Sequence, residues 1–185
     1  MTSFFRKFYF GVWKRMYTNE TIILFQLRTP AVFSPDIKIK AVNESNLNDA
    51  RSFQDESQLS LFRKFLKRGD KGFYGYLEGK CVHRSWVVLP PRQAEVHLFC
   101  RRPLNPDEVF IHFSETAGWA RGRNIFTQVL AHIGEEFKDK HVFISVGQDN
   151  SSSIKSVRKA GFSELSRIHV RVIAGIRKCQ TEMVN

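Results

Sequence analysis

The run VFIHFSETAGWARGRNIFTQVL, residues 109–130, passes from a strand-like segment to a helix through one short basic turn. VFIHF, residues 109–113, is rich in branched and aromatic side chains, as strands are. From Ser114 the chain enters a turn holding two glycines and two arginines. A helix is expected from about Asn124, because Ile125, Val129, Ile133 and Phe137 recur four apart, with Phe126 and Leu130 beside them. That spacing makes a core face, and no chemistry is assigned to it. A strand that turns straight into a helix leaves the first helical N–H groups unpaired, with the helix dipole behind them. Such an end accepts an anion, phosphate or pyrophosphate above all. Gly122 permits close backbone approach, and Arg121 and Arg123 can donate to phosphate oxygens. Read alone, the turn is equally a basic loop whose glycine serves only the chain reversal.

Composition frames this site without identifying it. A chain of 185 residues, 42% apolar and 25% charged, suits one globular domain with a sizeable core. Its 29 Lys and Arg against 18 Asp and Glu leave a formal charge of +11. That excess favours anionic partners such as nucleotides, nucleic acid or an acidic membrane face, or is simply a basic surface. Basic residues are scattered, and no nucleic-acid-binding signature appears, so nucleic acid is not an expected partner. Cys81, Cys100 and Cys179 are widely spaced and outside any CxxC pattern. They read as reduced thiols of a cytoplasmic protein, with neither a disulfide framework nor a metal site. No apolar run is long enough for a transmembrane helix. The aromatic and basic start SFFRKFYFGVWKRMY places Phe4, Phe5, Phe8, Val12 and Trp13 on one helical face. Such a face packs on the domain, joins a second copy in a homodimer, or touches a membrane surface peripherally.

Elsewhere strands and helices alternate. Strands are expected at 21–28, 37–42, 73–79, 81–89, 95–100, 109–113, 141–147 and 168–175. Helices are expected at 43–54, 57–68, 124–138 and after Asn150, with RRPLNPD at 101–107 as a loop. The implied organisation is an N-terminal extension over residues 1–35, a helix plus a strand packed on the domain, followed by one mixed α/β domain at 36–185.

A second motif joins the first. Asn150, Ser153, Lys159, Gly161 and Phe162 spell N-x-x-S-x-x-x-x-x-K-x-G-F directly after a strand. Asn150 offers both a donor and an acceptor at the strand end, suited to a ligand amide. With the Arg121-Gly122-x-x-Ile125 turn ahead of it at a fitting distance, the chain resembles the GNAT family of acyl-CoA-dependent N-acyltransferases over roughly residues 37–175. The resemblance implies a mostly antiparallel sheet with a parallel, splayed pair at the CoA site and helices on both faces. It further implies that acetyl-CoA is the cosubstrate, its pyrophosphate bound by Arg121, Gly122, Arg123, Asn124 and Ile125. The backbone of Glu115, Thr116 and Ala117 would pair with the pantetheine arm, and Asn150 and Ser153 would complete the cofactor site.

The chain also departs from the family pattern. The R/Q of the family's turn falls on Trp119, and the second small residue of that turn becomes Asn124. Asn124 can serve as a helix N-cap and so compete with ligand for the amides. The tyrosine that many members place four residues before the K-x-G-F glycine is Val157 here, so Ser153, Ser156 or water would have to protonate the leaving thiolate. The resemblance implies direct transfer, with an amine deprotonated by a carboxylate or histidine near the acyl group. Glu115 is the first candidate base, His112 the second, and His83 follows. Each also has a bland reading, as a paired strand-end carboxylate or a packed histidine. The T-x-x-x-x-R-G-x-x-I form and the aromatic start closed by Trp13-Lys14-Arg15 are similar to acetyltransferases of bacterial surface-polysaccharide or amino-sugar pathways. The acceptor would then be a small amine, an amino sugar or nucleotide-linked amino sugar included. Against this stand a non-catalytic acyl-CoA-binding regulator and a basic nucleic-acid-binding protein.

Overall fold

The computed structural model describes residues 16–32 and 36–184. In chain order its elements are β1 (Tyr17–Leu27), β2 (Lys38–Ala41), a 3-10 helix (Leu47–Ser52), α1 (Glu56–Lys67), β3 (Lys71–Leu77), β4 (Lys80–Val88), β5 (Gln93–His97) and β6 (Cys100–Pro103). They continue with β7 (Glu108–Thr116), a second 3-10 helix (Gly118–Ala120), α2 (Ile125–Glu136), β8 (His141–Gly147), α3 (Ser151–Lys159), β9 (Phe162–Ile173) and β10 (Ile176–Met183). Eight strands form one sheet in the order β10-β9-β1-β8-β7-β4-β3-β2, and β5 pairs with β6 as a hairpin of its own. Within the large sheet β7 and β8 run parallel, and the other neighbours are antiparallel.

Alternation along the strands sorts side chains to two faces. Val87 of β4 and Ile111 of β7 join Val129, Leu130 and Val157 under α2 and α3. Trp86 turns the other way, to Leu59, Phe62 and Phe65 of α1, while Val88 and Phe110 meet Ala94 and Val96 of the hairpin. The expected mixed sheet, mostly antiparallel with one parallel pair and helices on both faces, is the observed architecture. β1 lies inside it, paired with β8 from Ile22 to Gln26 and with β9 from Tyr17 to Leu27. This strand belongs to the segment set off at 1–35; the amphipathic face from Phe4 to Trp13 lies outside the described residues.

Local differences from the sequence reading have local causes. The helix expected at 43–54 is a 3-10 segment, because Asn43 accepts from Ser45 N at 2.9 Å and Asn46 Oδ1 accepts from Asn43 N at 2.8 Å. Those side-chain bonds hold turns in competition with an α-helix. The strand expected at 95–100 and the loop after it are instead the β5–β6 hairpin, with its bend at Leu98-Phe99. β7 continues through Ser114, Glu115 and Thr116, which the sequence reading assigned to the turn. β10 follows a hairpin turn in which Ala174 and Gly175 both take positive φ, 50° and 83°. An Ala-Gly pair is a weaker signal for that turn than Asn-Gly.

The cysteine expectation is corrected. Cys100 and Cys179 are joined in a disulfide with their Cα atoms 6.4 Å apart, and Cys81 is the free, buried thiol. Spacing in sequence hid the pair because the hairpin carrying Cys100 folds over the sheet beside β10. Among the described residues no helix is long and apolar enough to cross a membrane.

Candidate active site

The parallel ladder between β7 and β8 runs from Glu108↔His141 to Ile111↔Ile144 and stops there. Both strands continue, to Thr116 and Gly147, without pairing to each other. The gap between them opens into a cavity of about 760 Å³, lined among others by His112, Ser114, Glu115, Thr116, Ser145 and Gly147. Its far end reaches Gly122, Asn124 and Ile125 on one side and Asn150, Ser153 and Ser156 on the other.

A bulge in β7 shapes the gap. Trp86 of β4 stands opposite His112 and Arg84 opposite Glu115, so Phe113 and Ser114 together face Ser85. Phe113 accordingly takes a φ of 53°. Arg84, its side chain 6% exposed, holds this arrangement. Its guanidinium donates to the Phe113 carbonyl, to Gln54 Oε1 at 3.1 Å and to Glu115 Oε2 at 2.6 Å, and stacks on the Phe113 ring at 4.1 Å. Burial pulls its pKa below the ordinary arginine value, and Glu115 opposes that shift.

Behind the bulge lies a short polar chain. His83 is fully buried, with Nδ1 at 2.7 Å from Thr116 Oγ1 and Nε2 at 2.8 Å from Ser85 Oγ. Ser85 Oγ in turn donates to Ser114 Oγ at 2.8 Å. Burial, with Arg84 adding to it, drives the imidazole pKa down to about 3, so His83 stays neutral and has both nitrogens occupied. It is no acceptor for a proton from the cavity. Ala117 N donates to Val82 O at 2.8 Å and is likewise committed. Because backbone groups alternate sides along a strand, Thr116 then turns its N–H and C=O to the gap. Arg121 Nε bonds that carbonyl at 3.3 Å.

The turn before α2 carries Gly122 at φ 82° and Asn124 at φ 55°. Asn124 makes no side-chain cap, so the competition for the helical amides raised by its identity does not arise. Arg121, Gly122, Arg123 and Asn124 are exposed, whereas Ile125 is 2% exposed and brings only its backbone to the helix end. The first N–H groups of α2 therefore face the cavity without a side-chain acceptor. At α3 the Asn150 side chain accepts from Ser153 N at 3.1 Å, which commits its oxygen to capping and leaves its amide nitrogen as the donor. Val157 of α3 is fully buried in the core, while Ser153, one turn earlier, and the adjacent Ser156 line the cavity.

The two candidate bases differ in their surroundings. Glu115 is half-exposed and held by Arg84. His112 lines the cavity with its Nε2 at 3.3 Å from Asp70 Oδ2, an approach too oblique to satisfy a strict hydrogen-bond geometry. Burial lowers the His112 pKa, against the pull of Asp70. Thus the structure brings eleven of the expected residues to one cavity: Glu115, His112, His83, Thr116, Arg121, Gly122, Asn124, Ile125, Asn150, Ser153 and Ser156. Ala117 and Arg123 lie off its wall. Arg84, Ser85 and Asp70 escaped the sequence reading. An arginine inside the apolar strand CVHRSWVVL was the available signal, since a buried charge requires a partner.

No family model and no curated protein sequence matches the chain. Solved structures do. A GNAT-family acetyltransferase from Colwellia psychrerythraea superposes with a TM-score of 0.62 at 14% identity, over 96% of this chain and 62% of its own. The aminoglycoside N-acetyltransferase AAC(6')-Iy in complex with CoA gives a TM-score of 0.52 at 18% identity, over 69% of this chain and 92% of its own. A glucosamine N-acetyltransferase region of a fungal multi-domain β-N-acetylglucosaminidase gives 0.59 at 13% identity, over 88% and 22%. The chain spans 62% and 65% of the lengths of the Colwellia protein and of a conserved protein from Staphylococcus epidermidis. With the β7/β8 splay and the uncapped start of α2, these likenesses give the chain the fold of the GNAT acetyltransferases.

Proposed function

We propose that this chain is an N-acetyltransferase that moves the acetyl group of acetyl-CoA directly to a primary amine. The observation that carries the reading is the splay: two parallel strands part beyond Ile111 and Ile144, and the gap leads to the open N-terminus of α2. In this reading the CoA pyrophosphate sits on the amides that follow Gly122, with Arg121 and Arg123 beside it. The pantetheine arm lies along the free edge of β7 at Thr116, in the manner of an added strand, and the Asn150 amide nitrogen and Ser153 meet it from α3. The thioester then lies where the strands part. A neutral amine attacks the carbonyl carbon, the N–C bond forms, the nitrogen sheds one proton, and the C–S bond breaks. The thiolate takes a proton from Ser153, Ser156 or water, because Val157 offers none.

The acceptor is a small amine, and an amino sugar or nucleotide-linked amino sugar is the finer form of the proposal. The named activities of two structural neighbours, on aminoglycosides and on glucosamine, support that form. A cytoplasmic setting and a homodimer complete it. The test is release of CoA thiol from acetyl-CoA over a panel of amines that includes amino sugars. Thiol release with acetylated product is the expected result. CoA binding without turnover across the panel assigns a regulator instead, and salt-sensitive RNA binding with no response to CoA defeats the reading.

A further inference from the structure

We propose that His112 accepts the proton from the incoming amine and that Asp70 is its positioning residue. The inference rests on the acetyltransferase reading and names the base of that site. Geometry selects the residue. His112 is the first β7 residue past the last parallel pair, Ile111↔Ile144, so it stands at the apex of the gap. A cofactor arm entering from the turn at Gly122 and running back along β7 from Thr116 covers about 13 Å of strand before it reaches His112. The reactive end of the arm then lies beside that imidazole.

The rivals are disqualified by their partners. His83 has both ring nitrogens taken, by Thr116 and Ser85. Glu115 is bound at 2.6 Å by Arg84, which spends its carboxylate on holding the bulge. For His112, Nδ1 has no hydrogen-bond partner among the described residues, while Nε2 faces the Asp70 carboxylate at 3.3 Å. A proton on Nε2, the nitrogen beside the carboxylate, leaves the Nδ1 lone pair free to take another.

The sequence delivers Asp70 to this place by a helix stop. Gly69, at φ 85°, ends α1: Gly69 N donates to Leu66 O and Asp70 N to Phe65 O, each at 2.9 Å. This Schellman motif fixes both Asp70 and Phe65 on one turn. The Phe65 ring packs edge-on against His112 with centroids 5.0 Å apart, and Asp70 faces its Nε2. Arg68 Nε donates to Asp70 Oδ2 at 2.8 Å, and Arg92 bonds the other oxygen. Burial pushes the Asp70 carboxyl up, but the neighbouring His112 and the bonds from Arg68 outweigh it and hold the group below its ordinary value, ionised. The charged groups facing His112 are thus Asp70 from the start of β3, Arg68 from the end of α1 and Arg92 from the loop after β4.

In the reaction, R–NH3+ gives a proton to Nδ1, the freed amine forms the new N–C bond, and the C–S bond breaks. The amide nitrogen sheds its second proton as the thiolate gains one, and His112 returns its proton to solvent. One proton is released per turnover.

The test compares His112→Gln, His112→Ala and Asp70→Asn with wild type, following CoA affinity by calorimetry and kcat/KM across pH. His112→Gln should bind CoA as wild type does while kcat/KM falls about 10²-fold or more. Imidazole in the buffer should restore part of the rate to His112→Ala. Asp70→Asn should lower kcat about tenfold and move the acid limb of the profile to lower pH, because the anion that favours imidazolium is gone. A purely structural Asp70 would leave that limb in place. Wild-type kcat/KM in His112→Gln, no imidazole rescue, or an unmoved limb in Asp70→Asn overturns the assignment while the acetyltransferase reading stands. A wild-type chain that neither binds CoA nor releases thiol overturns both.

Discussion

Replacing Arg84 by methionine tests whether the bulge of β7 depends on a single buried cation. The substitution keeps most of the aliphatic length and removes every donor. The Phe113 carbonyl, which Arg84 satisfies in the interior, is left without its partner, at about 1–3 kcal/mol. The Glu115 carboxylate is 43% exposed and rehydrates, so its loss adds no more than about 1 kcal/mol after solvent screening. The stacking of the guanidinium on Phe113 at 4.1 Å adds roughly 0.5–1 kcal/mol. Together the substitution costs about 3 kcal/mol. For a chain of this length that lowers Tm by about 9 °C, at roughly 2–4 °C per kcal/mol. Glu115→Gln, which leaves the Phe113 bond intact, should cost under about 1 kcal/mol. Urea unfolding and thermal melts of the two variants make the comparison. An Arg84→Met protein melting within about 2 °C of wild type, or a Glu115→Gln protein equally destabilised, would refute the account of the bulge.

Further outcomes follow from other positions. Gly161 has φ 98°, and a Cβ there would come 1.9 Å from Thr29 O, so Gly161→Ala should cost about 3 kcal/mol or more in urea unfolding. His83 titrates near 6.5 when unfolded and about 3 when folded. Its contribution is complete above the unfolded value and is lost as pH falls through that window, by about 2 kcal/mol between pH 7 and pH 5. Urea midpoints across that range should show the slope, and His83→Gln should flatten it. The Cys100–Cys179 bond closes a separation of 79 residues, so Cys179→Ser should lower stability by about 4 kcal/mol where the bond is formed. Mass measurement of freshly isolated, alkylated protein reports whether it forms in the cell, and an open pair there supports the cytoplasmic setting. Glu115→Gln should also retain acetyl transfer within about tenfold, since the carboxylate is assigned to Arg84; a loss of the size expected for a base would return that role to Glu115.

Much of this architecture was legible because it depends on local pattern. The helical repeat from Ile125 to Phe137, the stop at Gly69 and the Glu78-Gly79 turn between β3 and β4 each act within a few residues, and α1, α2, β3 and β4 form close to where they were expected. The order of motifs around Gly122 and Asn150 likewise located the cavity. What stayed hidden depends on contacts across the fold. No pattern within β1 reveals that it lies between β8 and β9. The Cys100–Cys179 bond needs the hairpin folded over the sheet. The bulge at Phe113 needs Arg84, 29 residues earlier in the chain, to hold it. Nothing local marks Asp70, and only the pairing of β3, β4 and β7 sets it beside His112. Asn124 resembled a capping residue, but its left-handed φ of 55° turns the backbone so that no cap forms.

Acetyl-CoA offered with a panel of primary amines, with free thiol and product mass read together, tests the central claim most directly. The account predicts thiol release that depends on the amine, matched by an acetylated product, with amino sugars among the acceptors. Absence of both thiol and product with every amine, from a folded chain that gives no calorimetric response to CoA, would contradict it.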